Sequence, residues 1–265
     1  MAMSDPAFPP VDRGLLDEAV GLARRAGELT QSFFRRADLA VDTKGDGTPV
    51  TVADRGAEAQ LRREIAELFP DDGIFGEEEA ETPGTSGRRW IIDPIDGTKA
   101  FTHGVPLYTN LLALEDADGI AIGVINVPAL GETVYAGRGL GAWCNGDAVH
   151  VNDTAQLTDA YVMTSGLSAW PGEVVDRLNV HGLHLRTWGD GYGYTLVATG
   201  RAEAMADSVA ELYDLAPMPV ILAEAGGRFT DLAGRPGPGG GSGLATNGRC
   251  HDELLKILHP SEPVP

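Results

Sequence analysis

Cysteine is scarce: Cys144 and Cys250 are the only two in 265 residues, and no metal-ligand spacing relates them. They offer no thiolate metal site and no supported disulfide, and read as reduced thiols of a cytoplasmic protein. Basic residues are scarce as well. Twenty Lys and Arg face 39 Asp and Glu, a formal net charge of −19. That balance excludes nucleic acid and anionic membrane surfaces as partners, because both need clustered Lys and Arg. No apolar run reaches the length of a membrane span. The stretch Met1 to Pro10 is Pro-rich and lacks a positive n-region with an apolar h-region, so no signal peptide is expected. What remains is a chain long enough to bury a large core, as one large domain or two closely packed halves. An acidic surface keeps such a chain dissolved, but an anionic substrate must then be drawn in locally, and bound cations are the obvious device.

The densest chemistry lies in Trp90-Ile91-Ile92-Asp93-Pro94-Ile95-Asp96-Gly97-Thr98-Lys99. An apolar strand runs into two aspartates three apart. Carboxylates are hard oxygen ligands, and a strand end is a rigid place to fix them for Mg²⁺. Pro94 sets one backbone angle, and Gly97 permits a tight turn that presents its own amide and that of Thr98 to an anion. Metal ligands beside an anion nest point to phosphate chemistry. A strand followed by an ordinary Asp-Gly turn would explain the same residues. Company elsewhere favours the chemistry: Ile74-Phe75-Gly76-Glu77-Glu78-Glu79 upstream, and Glu211-Leu212-Tyr213-Asp214-Leu215-Ala216-Pro217 downstream.

The frame around these motifs alternates helix and strand. Leu15, Ala19, Leu22, Ala23, Ala26, Leu29 and Phe33 recur at helical steps. Thr51 followed by Asp54 forms a capping-box-like start for a helix carrying Ala57, Leu61, Ile65 and Leu68. Strand-like runs between Asn110 and Ala136 suggest an antiparallel meander. Beyond a seam near Asn152 to Leu157, the pattern predicts strands at 161–164, 183–187 and 202–206. Helices are expected at 193–199 and 215–225, the last ended by Gly226-Gly227. Residues 235–243 are Gly/Pro-rich and read as a connector loop.

The three acidic motifs, in this order, resemble those of the inositol monophosphatase superfamily of metal-dependent, lithium-sensitive phosphatases. The likeness runs from about Leu15 to Leu258; Tyr213 stands where that family usually has Trp, a packing position. The resemblance implies a layered α-β-α-β-α sandwich, an α/β (α+β) fold of two closely packed halves. Residues 1–152 would carry most metal ligands, and 153–265 the last ligand and the substrate contacts. It also implies a homodimer and two or three Mg²⁺ ions. Glu77 and Asp93 would share the first ion, with the Ile95 carbonyl as a neutral ligand; Asp93, Asp96 and Asp214 would hold the second. Thr98 and Asp54 would orient the attacking water, so the catalytic set is Thr98, Asp54 and Glu77. Asp54 is equally explained as the helix cap, and both roles are compatible. Glu78 and Glu79 read as solvated neighbours or as groups that support the ligands from behind, rather than as ligands.

Substrate contacts would come from Asp96, Gly97, Thr98, Asp190, Asp207 and Asp214, with Lys99 and Lys44 as further candidates. Lys99 pairs with phosphate or a carboxylate, or is simply an exposed loop lysine; His103 reads as a loop packing residue. Gly-Thr-Lys-x-Phe at 97–101, Gly189 to Tyr194, and Arg201 to Asp207 are similar to the histidinol-phosphate phosphatase branch. Its substrate carries a cationic amine and an imidazole, which suits additional aspartates near the leaving group. An inositol-1-phosphate phosphatase of broad specificity is the alternative, and a nucleotide 3′,5′-bisphosphate phosphatase the third. A non-catalytic phosphate-ester binding protein is the reading from another class; the intact carboxylate set argues against it. The expected partner is a small phosphate monoester.

Overall fold

Asp12 caps the first helix, its carboxylate accepting from the Leu15 amide at 3.0 Å, and the apolar stripe then runs unbroken through α1 (Arg13–Phe33). The computed structural model describes residues 8–43, 45 and 49–258; Lys44 lies outside them. A short hairpin, β1 (Val41–Thr43) and β2 (Pro49–Thr51), leads into α2 (Val52–Leu68) through the expected capping box between Thr51 and Asp54. Then follow β3 (Gly73–Gly76), β4 (Arg89–Asp96), α3 (Thr98–Thr102), β5 (Thr109–Asp116), β6 (Gly119–Val127), β7 (Glu132–Gly137), β8 (Ala142–Cys144) and β9 (Asp147–Ala148). These seven strands form one sheet in sequence order, antiparallel except for the parallel β3–β4 pair. The meander is as expected.

The remainder comprises β10 (Tyr161–Met163), α4 (Gly172–Val180), β11 (His184–Arg186), α5 (Asp190–Ala198), β12 (Ala204–Asp207), α6 (Leu212–Leu215), α7 (Met218–Glu224), β13 (Arg228–Thr230), β14 (Gly243–Thr246) and α8 (His251–Leu258). Its sheet runs β11-β10-β12-β14-β13, with β10, β11 and β12 parallel. The period-two alternation of strands sorts the core into layers. Leu112, Leu114, Ile122 and Val124 face α1 and α2. Leu111, Ile125, Val127 and Val134 face α5 and α7, which also meet Met163, Met205 and Ala245 of the second sheet. Val162, Ala204 and Leu244 face outward under α4 and α8. The result is α-β-α-β-α. Among the described residues no helix is long and apolar enough to cross a membrane.

Two of the expected helices differ in their bounds, and α4 and α8 were not expected. The helix expected at 215–225 is two short ones, because Pro217 and Pro219 each remove an N–H from the ladder. The helix expected at 193 begins at Asp190, although it holds two glycines. Tertiary packing overrides their poor propensity: a Cβ on Gly193 would collide with the Met205 sulfur.

One buried group ties the second sheet together. His251, at the start of α8, lies between Thr230 Oγ1 at Nε2 and Thr246 Oγ1 at Nδ1, each 2.9 Å away. Thr230 donates its own proton to the Asp231 carbonyl, so it accepts from Nε2–H, and Thr246 donates to Nδ1. The ring is neutral. Burial, assisted by Arg228, pushes its pKa down to about 4. The unfolded chain, at about 6.5, therefore takes up this proton first as pH falls. Stability should drop from about pH 6.5 down to about pH 4, by up to roughly 3 kcal/mol. A pH series of melting temperatures checks this: the gap between wild type and His251→Gln should narrow through that window, and a constant gap would count against it.

Candidate active site

The end of β4 breaks its ladder with β5 between Asp93 and Asp96, where Pro94 brings no N–H. Side chains replace the lost bonds. Asp93 Oδ1 accepts from the Ile95 amide at 3.0 Å, and Asn110 Nδ2 donates to the Pro94 carbonyl at 2.6 Å. Asn110 Oδ1 in turn accepts from Asn126 Nδ2 at 3.0 Å, and Asn126 reaches the Ala23 carbonyl of α1. Gly27 leaves the room for this contact, since a Cβ there would strike Asn126 Nδ2. Gly97 then turns the chain at φ +80° into α3. That left-handed conformation is open to glycine.

Thr98 Oγ1 lies 3.0 Å from the Ile95 carbonyl and 3.4 Å from Asp54 Oδ1. The other oxygen of Asp54 accepts from the Thr51 amide at 2.8 Å and from the Thr51 hydroxyl. One carboxylate thus caps α2 with one oxygen and faces Thr98 with the other. Asp214 is likewise a cap, its Oδ2 accepting from the Glu211 amide at 2.7 Å to start α6. Asp96 Oδ2 accepts from Thr109 Oγ1 at 2.7 Å and from the Gly191 amide of α5. The first sheet meets α5 here.

Asp93, Asp96 and Asp214 each present an oxygen within 4.8 Å of the others. Asp93 and Asp96 are 1% and 8% exposed. Burial pushes both well above the carboxylate range, and neighbouring carboxylates add to it: Glu77, Asp96 and Asp214 for Asp93; Asp190 and Asp214 for Asp96. Burial, with Glu77, carries Asp214 up to about 7. Burial also raises Asp54, again with a contribution from Glu77. A cluster of buried carboxylates raised by burial and by one another lacks positive charge, and hard oxygen donors select a hard divalent cation. The donor set fits Mg²⁺.

A second acidic group stands at the neighbouring ends of β10, β11 and β12. Asp207 Oδ1 accepts from the Ser165 amide at 3.1 Å and its Oδ2 from the Tyr194 hydroxyl at 3.0 Å. The Asp190 amide donates to Ser165 Oγ at 2.9 Å. Asp190 takes φ +52°, rare for a residue with a side chain. Its carboxylate is directed at Gly97, where a Cβ would meet Oδ2 at 2.8 Å. Burial, then Asp207, raises Asp190 to about 6, while the Lys99 charge acts in the opposite sense. Lys99 itself is exposed.

The structure thus brings together Asp54, Glu77, Asp93, Ile95, Asp96, Gly97, Thr98 and Asp214, with Asp190 and Asp207 alongside. His103 closes α3, with Nδ1 2.8 Å from the Lys99 carbonyl, and is exposed. Tyr213 packs on Phe75 at 6.4 Å, as a Trp substitute should. Ser165 and Asn110 were not expected from the sequence; no motif marks them, and only the pairing of strands brings them to the site.

The model of the inositol monophosphatase family matches residues 12–262. The chain belongs to that family. It is a phosphoric monoester hydrolase by that membership. It is 46% identical over 235 residues to the histidinol-phosphatase of Chlorobaculum parvum, covering 87% of this chain and 91% of that protein. The histidinol-phosphatase of Mycobacterium tuberculosis is 43% identical over 251 residues, covering 91% and 96%. Among solved structures, the Thermotoga maritima IMPase superposes with a TM-score of 0.85 at 32% identity, over 92% of this chain and 96% of that one.

Proposed function

We propose that the protein is a Mg²⁺-dependent phosphatase that hydrolyses L-histidinol phosphate to L-histidinol and phosphate. The observation that carries this reading is the Asp93–Asp96–Asp214 cluster, two of its carboxylates buried and the third partly so, flanked by two further aspartates, Asp190 and Asp207. The relatives named histidinol-phosphatase, at 46% and 43% identity, support it.

In this reading Glu77, Asp93 and the Ile95 carbonyl would hold one ion, and Asp93, Asp96 and Asp214 another, with two or three per site. Mg²⁺ bound there would supply an activated water and positive charge for the phosphate and the leaving oxygen. The chain's residues do the positioning. Thr98 and Asp54 form a hydroxyl–carboxylate pair that orients the attacking water and holds its proton. The amides of Gly97 and Thr98 receive phosphate oxygens, and Lys99, whose charge acts on Asp190, is a further candidate contact for the same anion. Asp190, Asp207 and Asp214 line the leaving-group side, where an ammonium is matched by carboxylates. Residues 1–152 and 153–265 are the two halves that meet at this site. The protein is read as a cytoplasmic homodimer; the free Cys144 and Cys250 suit a reducing compartment.

Metal exchange tests the reading. Phosphate release from histidinol phosphate should vanish in EDTA and return with Mg²⁺. Ca²⁺ should bind yet support poor turnover, because it tolerates loose geometry where Mg²⁺ enforces an octahedron. Li⁺ at submillimolar to millimolar concentration should inhibit. Full activity in EDTA, or with Ca²⁺ alone, would contradict the reading.

A further inference from the structure

Glu58 is fully buried on α2, one turn after Asp54, so the two carboxylates share a helix face. Asp54 faces Thr98. Glu58 faces the segment that follows Gly76. Its Oε2 accepts from the Glu78 amide at 2.8 Å, and its Oε1 from the Glu79 amide at 3.0 Å. Arg62, one turn further, donates to the same Oε1 from Nε at 2.9 Å and from Nη2 at 2.8 Å. The guanidinium also reaches the Glu79 carbonyl at 2.9 Å and Thr82 Oγ1 at 3.2 Å. Gly76 is required by this arrangement, because a Cβ there would overlap the Glu58 carboxylate.

A carboxylate removed from water is stable only when paired and hydrogen-bonded, and Glu58 has an arginine and two backbone amides. All of these partners lie on α2 or on the residues just after Glu77. Glu77 itself sits beyond the end of β3, on irregular backbone, and faces like charges on Asp93, Asp54 and Asp214. Its side chain hydrogen-bonds with Asp93, and where that side chain can reach is set by how the backbone of residues 77–79 is held. We propose that the Glu58–Arg62 pair is the positioning device that holds Glu77 in the cluster, so that α2 presets both Asp54 and Glu77 for the metal. Preorganisation acts on metal affinity first, since the ligand need not be drawn in at the moment of binding. The proposal rests on the reading of Glu77 as a metal ligand.

The test is an Mn²⁺ titration of the metal-stripped protein, followed by the EPR signal of free Mn²⁺, beside the Mg²⁺ dependence of activity. In Glu58→Gln the amide nitrogen cannot accept from Glu78 or Glu79. Mn²⁺ affinity and the half-saturating Mg²⁺ concentration should both worsen about tenfold, while kcat at saturating Mg²⁺ stays within about threefold of wild type. Arg62→Lys keeps the charge but loses the fork, and should give a smaller shift in the same direction, which covers a Glu58 variant that fails to fold. Lower melting temperatures with unchanged Mn²⁺ affinity in both variants would overturn the proposal and leave the pair a structural one. Unchanged affinity in Glu77→Gln would overturn the reading of Glu77, and the proposal with it.

Discussion

Asp93→Asn should lower kcat by on the order of 10²–10³ at saturating Mg²⁺, because the shared carboxylate serves both ions in the proposed arrangement. The same substitution should not harm the fold. Asp93 is buried, with its pKa raised by burial and by Glu77, Asp96 and Asp214. A carboxylate whose pKa is higher folded than unfolded costs stability at neutral pH. Asparagine removes the repulsion and keeps an oxygen to accept from the Ile95 amide. The metal-free variant should therefore melt at or above the wild-type temperature while being nearly inactive. Kinetics and calorimetry on the same preparation check both halves. Retention of a tenth of wild-type kcat would contradict the assignment.

The next largest effect separates substrates. Replacing Asp190 or Asp207 by Asn preserves shape and most hydrogen-bonding capacity but deletes the charge. A hydrogen bond to a charged group contributes about 1.5–3 kcal/mol, against roughly 1 for a neutral one. kcat/KM for histidinol phosphate should fall about tenfold or more in each variant, and for inositol 1-phosphate only a few-fold. Asp207 is already engaged by Ser165 and Tyr194, so part of its effect should arrive through Asp190, which shares Ser165. Equal losses on both substrates would mean that neither aspartate reads the amine.

Much of this arrangement is legible in the sequence because its signals are local. The helical spacing from Leu15 to Phe33 needs only one apolar stripe, and α1 follows it. Thr51 and Asp54 announce the start of α2 through a bond spanning three residues. The Trp90–Thr98 motif carries its own strand, turn and glycine, and the structure forms all three. The layered fold follows from strands that alternate and helices that do not.

What escaped is set by contacts between distant segments. Asn110 reads as one more residue of a β-strand, and its tie to Pro94 appears only when β5 pairs with β4 across a bulge. Glu58 reads as one polar residue on a helix, yet it is fully buried because residues 78 and 79 fold over it. Ser165 lies 42 residues from Asp207 and 25 from Asp190. Their meeting is a property of three parallel strands ending together. Helices α4 and α8 were not expected at all. Each is little more than two turns of amphipathic sequence whose helicity comes from packing on the second sheet.

The central claim is that the Asp93–Asp96–Asp214 cluster, flanked by Asp190 and Asp207, makes a Mg²⁺-dependent histidinol phosphate phosphatase. One assay tests it most directly: phosphate release in Mg²⁺ from L-histidinol phosphate, inositol 1-phosphate and adenosine 3′,5′-bisphosphate, each as kcat/KM. The account predicts that histidinol phosphate leads by about tenfold or more, the margin that a charge-assisted contact supplies. An enzyme that prefers inositol 1-phosphate, or that hydrolyses none of the three, would contradict it.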